Sequence, residues 1–95
     1  MASLSVTLTN DTGLSEEEFD RLCNEIFDRI VERTPVDTGA CQAAWEIYFP
    51  DAEECIIDNP IPYVSFLEDG WSKQAPRGMV QITLDQIPQI KAEIF

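Results

Sequence analysis

The sequence predicts an α+β fold: a small antiparallel β-sheet, made of an N-terminal strand plus a hairpin, packed by a long N-terminal helix and a C-terminal helix. Three observations carry this. Residues 3–9 alternate apolar and hydroxyl side chains, residues 15–33 repeat apolar side chains at three- and four-residue steps, and residues 45–58 return to a period of two. With 95 residues the chain makes a single domain over 1–95, near the size at which one core is only marginally stable.

The elements follow in order. In residues 3–9, Leu4, Val6 and Leu8 face one way and Ser5, Thr7 and Thr9 the other, as a half-buried strand requires. Asn10-Asp11-Thr12-Gly13 is a turn. Ser15 followed three residues later by Glu18 is a capping box, and three consecutive glutamates suit the positive end of a helix dipole. The apolar stripe then runs through Phe19, Leu22, Cys23, Ile26, Phe27, Ile30 and Val31. On the opposite face, Glu17 with Arg21 and Glu25 with Arg29 are spaced for i, i+4 ion pairs.

The helix is expected to stop at Thr34, because the residue before a proline is driven out of the helical region. Thr34, Pro35, Asp37, Thr38 and Gly39 together make a structural hinge: proline fixes φ, the Asp and Thr oxygens can cap N–H groups, and glycine permits a close backbone approach. Residues 39–44 are small and predict a short helical turn capped by Asp37. Trp45, Ile47 and Phe49 then alternate with Glu46 and Tyr48, residues 50–53 predict the turn, and residues 54–58 the returning strand. Asn59-Pro60-Ile61-Pro62 forces an extended path, after which residues 63–68 predict one or two helical turns burying Tyr63, Phe66 and Leu67, closed by Asp69-Gly70. Residues 71–78 lack periodicity and read as an exposed loop. Residues 79–95 predict the last helix, with Pro76 suited to its first turn and Pro88 forcing a kink or break near residues 85–87.

Charge and composition then exclude functions. The net charge is −12, from 18 acidic and 6 basic residues, which argues against phosphate-mediated nucleic-acid binding and against adhesion to an anionic membrane. It fits a basic protein partner or a surface to which DNA must not adhere. Cys23, Cys41 and Cys55 are odd in number, show no CxxC spacing, and read as small buried apolar residues of a chain made in a reducing cytoplasm, with no targeting or membrane segment. There is no histidine, so the commonest general base and metal ligand are both missing. Cys41 has no base to activate it. Glu68 and Asp69, as sequence neighbours, do not converge on one bond, and Asp51, Glu53, Glu54 and Asp58 match no calcium loop. No catalytic, cofactor-binding or metal residue is therefore expected, and the chain reads as a non-enzyme. Trp45 is most simply core. Trp71, in a polar loop beside Lys73, is the better interface anchor.

Four stretches recur together in one family. They are Thr34-Pro35-Val36-Asp37-Thr38-Gly39 after a helix, a tryptophan-bearing hairpin over residues 45–59, Asn59 and Tyr63 leading to Glu68 and Gly70, and Ala75-Pro76-Arg77-Gly78-Met79 before the last helix. In this order and spacing, over about residues 13–90, the chain resembles the small tail-completion, or head–tail joining, proteins of lambdoid tailed bacteriophages. Many of those relatives are longer, with extended terminal helices. The resemblance implies a virion structural protein forming a ring, a homo-hexamer or a dodecamer, in the neck between the capsid connector and the tail tube. Its partners would be its own copies, the adjacent connector or adaptor protein and the tail-tube protein, with DNA passing through the lumen without specific binding. On that reading Trp71, Lys73, Arg77, Tyr63 and Glu68 are the expected interface residues, and the first strand or the hairpin edge could pair across subunits. Six copies at −12 would place on the order of seventy negative charges around the DNA. The alternative is a small acidic inhibitor that mimics DNA in a basic protein groove. It accounts for the charge but not for the four stretches in series.

Overall fold

The computed structural model describes residues 4–11, 13–35, 40–70 and 78–95. The elements are β1 (Leu4–Thr9), α1 (Glu16–Arg33), α2 (Ala40–Ala43), β2 (Glu46–Asp51), β3 (Glu54–Asn59), α3 (Val64–Glu68), α4 (Val80–Leu84) and α5 (Ile87–Ile94). The three strands form one antiparallel sheet in the order β1-β3-β2, so the second strand of the hairpin is central. With α1, α4 and α5 packed together, this is the expected α+β arrangement.

Register decides what each face of the sheet carries. Leu4, Val6 and Leu8 pair with Asn59, Ile57 and Cys55, and Ile47 pairs with Ile57 on the far side. A period of two puts all of these on the face toward α1. The other face carries Ser5, Thr7 and Thr9 beside Asp58, Ile56 and Glu54, then Glu46 and Tyr48. From α1, Phe19, Leu22, Cys23, Ile26 and Ile30 are buried against the sheet. Each large one stabilises the fold by about 1.5–3 kcal/mol. Trp45, Val64, Met79, Val80 and Ile90 complete the core.

The capping box at the start of α1 is present in full: Glu18 N–H donates 3.1 Å to Ser15 Oγ, and Ser15 N–H donates 3.0 Å to Glu18 Oε1. Arg29 forms the expected ion pair with Glu25 at 3.1 Å and a second one with Glu93 of α5. Glu17 and Arg21 do not close into an ion pair among the described residues.

Two local expectations need correction. The hairpin turn is Ala52-Glu53, and Pro50 stays in β2. Between Tyr48↔Ile56 and Asp51↔Glu54, Phe49 and Pro50 stand opposite Cys55 alone, which is a β-bulge. The bulge takes up the proline that a regular ladder cannot hold, and it breaks the alternation that would have turned Phe49 inward. Phe49 is accordingly exposed. Second, α3 is rotated from the expected face: Val64 is fully buried, whereas Tyr63 and Phe66 are exposed and only Leu67 is half-buried. The cause is Glu68, described below, whose carboxylate must turn inward. The break expected from Pro88 is present, and the C-terminal helix is two helices. Pro88 has no N–H for the carbonyl of Leu84, so α4 ends there, Asp85 and Gln86 form the break, and Pro88 sits in the first turn of α5.

Candidate subunit interface

The hinge begins where α1 ends. Thr34 has extended backbone angles (φ −73°, ψ 130°) and its N–H donates to Val31 O. Its buried hydroxyl donates 2.8 Å to Ile30 O and accepts the indole N–H of Trp45 at 2.7 Å. One side chain thus satisfies an orphan carbonyl of the helix end and fixes the residue that enters β2. Gln42 Nε2 donates 3.1 Å to Val31 O from the other side, and Pro35 is buried. Asp37, Thr38 and Gly39 lie outside the described residues, as does the expected cap on α2.

Asn59 ties α2 to the segment after the hairpin. It ends β3 fully buried, donates 2.8 Å to Cys41 O in α2, and accepts the N–H of Ile61 at 2.9 Å. That acceptance closes an Asx turn across Pro60, the geometry a short amide side chain makes most readily. Trp45–Thr34 thus joins the hinge to the hairpin, and Asn59–Cys41 joins the end of the hairpin to α2.

Glu68 closes the next link. Its Oε1 accepts the N–H groups of Met79 and Val80, and its Oε2 that of Gln81, each at 2.8 Å. Three amides at the start of α4, which the helix itself cannot satisfy, are held by one carboxylate. Gly78 makes this approach possible. Its φ is +79°, and a Cβ there would stand 2.3 Å from the Glu68 carbonyl oxygen. Residues 68 and 78 are thus clamped together, and Gly70, at φ +88°, ends α3.

Of the five expected interface residues, two are among the described residues, and Tyr63 is 41% exposed. Glu68 is half-buried, with its carboxylate on the amides of Met79, Val80 and Gln81. Trp71, Lys73 and Arg77 lie outside the described residues. Tyr48 is exposed on the polar face that alternation gives it; what periodicity missed is Phe66, 50% exposed on α3, together with Phe49 on β2. No pattern in the sequence marks them, because their outward direction follows from the inward turn of Glu68 and from the bulge. Arg33 was also missed: it donates to Thr83 Oγ1 at 2.7 Å and to Gln86 Oε1 at 2.5 Å, fastening the end of α1 to the α4–α5 break.

The thiols are interior groups. Cys23 and Cys55 are wholly buried, and a hydrogen bond with Cys55 together with burial pushes the Cys23 thiol far up. Burial raises Cys41 as well. Neither a family model, nor a curated protein, nor a solved structure matches the chain. Among the described residues no helix is long and apolar enough to cross a membrane, and no cluster of three or more His, Cys, Asp or Glu could hold a metal ion.

Proposed function

We propose that the chain is a structural virion protein of a tailed bacteriophage, one subunit of a homo-oligomeric ring at the head–tail junction, through which DNA passes without specific binding. The observation that carries this reading is the pair Tyr63 and Phe66. Tyr63 at the start of α3 and Phe66 within it are both about half exposed, inside the stretch that resembles the tail-completion family, on a chain of net charge −12. Large aromatics left outside a small acidic subunit are the residue type that anchors protein interfaces. Copies meeting head to tail in a ring would bury them, adding area that a domain of this size lacks on its own. The acid-rich solvent side of α1 then suits a lumen wall, since it removes the counterion-release gain that would hold DNA in place.

The DNA-mimic reading asks for an unbroken run of acids. On α1 the groove lined by Glu25, Asp28 and Glu32 is interrupted by Arg29 and Arg33, which counts against it. Deleting the coding sequence from the phage that carries it is the test. Full heads and separate tails, with the protein located at the neck of wild-type particles by averaged electron images, are the expected outcome. Normal joined particles without the protein would end the proposal.

A further inference from the structure

We propose that the outward edge of β1 is a strand-acceptor site, taking up an extended segment of a partner protein whose side chains alternate between apolar and basic. This goes beyond the ring reading and stands without it.

The two edges of the sheet are built differently. At the end of β1, Asn10 N–H donates to Glu53 O at 2.8 Å, which continues the β1–β3 register by one residue. Hydrogen-bonded pairs alternate in an antiparallel ladder, so Leu8, Val6 and Leu4 exchange backbone bonds with β3. Ser5 and Thr7 therefore aim their N–H and C=O groups away from it. No partner for those groups is found among the described residues. β1 carries no proline, glycine or charge and pairs in unbroken register along all six residues. Proline, charge and a bulge are devices by which sheets close an edge, and β1 has none of these three. β2 has them: Pro50, the bulge, and the charges of Glu46 and Asp51. By the same alternation only Ile47 precedes the bulge with outward backbone groups on that side.

The side chains define what fits. Leu4, Val6 and Leu8 are half-buried, whereas Cys55 and Ile57 beside them are fully covered. An added strand would place apolar side chains next to the three and complete their burial. On the other face it would lie beside Ser5, Thr7 and Thr9. These are small enough for a lysine or arginine to reach across toward Asp58, paired with Ser5, and Glu54, paired with Thr9. A second copy is the poorer occupant. Its β2 edge is interrupted, its β1 has no cation, and its net charge has the same sign.

The test uses the full chain and short synthetic peptides that alternate valine with lysine, or valine with glutamate. The lysine peptide should slow amide hydrogen exchange at Ser5 and Thr7 about tenfold or more while Val6 and Leu8 stay slow throughout, and the glutamate peptide should not. Thr7→Pro removes an outward N–H without touching the β1–β3 ladder, and should abolish the effect with the urea midpoint retained. Should that variant unfold, Ser5→Lys serves instead, weakening the lysine peptide and admitting the glutamate one. Unchanged exchange at Ser5 and Thr7 overturns the proposal. So does protection at Ile47 in their place, or protection that grows with protein concentration and no peptide.

Discussion

The indole N–H of Trp45 donates to the hydroxyl of Thr34 across 2.7 Å, so the residue that ends α1 also sets the entry to the hairpin. The same hydroxyl donates to Ile30 O. Thr34→Val keeps the shape and removes both bonds, leaving a buried N–H without an acceptor. A loss of about 1–3 kcal/mol is expected in urea unfolding followed by circular dichroism. Thr34→Ser should recover most of it. In a double-mutant cycle with Trp45→Phe the two losses should be clearly non-additive.

Glu68 and Gly78 form a second such pair. Glu68→Ala leaves three amides at the start of α4 without their carboxylate, and a loss of about 2–3 kcal/mol is expected. Hydrogen exchange should rise at Met79, Val80 and Gln81 ahead of the rest of the core. Gly78→Ala should cost roughly 1–3 kcal/mol, because φ is positive and the added methyl meets the Glu68 carbonyl. If Gly78→Ala is neutral, the clamp is not as described.

The cysteines give a pH prediction. Burial holds Cys41 above the ordinary thiol value of 9.0, so folding favours its protonated form. The corresponding stability is fully present below that value. It is lost as the pH rises beyond it, where the unfolded chain releases protons that the folded chain keeps. Urea midpoints should be level from neutral pH to about 8.5 and fall above it. At pH 8, iodoacetamide should label none of the three thiols in the native protein and all three in denaturant, counted by mass spectrometry.

Phe66 separates assembly from folding. Phe66→Asp should change the urea midpoint by less than about 0.5–1 kcal/mol, as expected of a half-exposed side chain. It should abolish complementation of a phage lacking the gene. Ile57→Ala, at the centre of the sheet, should do the reverse: a loss of about 2–5 kcal/mol, with every function falling together.

Much of this was legible in the residues. The stripe from Phe19 to Val31, the Ser15–Glu18 box and the Pro35 stop define α1 to within a residue, since period, cap and breaker agree. Pro88 announced the break at Asp85-Gln86 for a purely local reason, the lost N–H. The orientation of α3 was not legible. A five-residue helix has too few turns for its own pattern to decide, and Glu68, by bonding across to α4, overrides the aromatic spacing. The bulge at Phe49-Pro50 escaped for a related reason: proline in a turn and proline at a bulge look alike until the partner strand is in register. Asn59 stood out in sequence as a neighbour of prolines and as the start of the Asn59–Tyr63 segment, but its bond to Cys41 spans eighteen positions and has no local sign.

The bulge in β2 has one more effect. Sheets that are open on both margins can stack edge to edge without end, and that is how fibrils grow. Here one margin is spoiled by Pro50 and the extra residue, so pairing between copies has one open side only and cannot repeat without end.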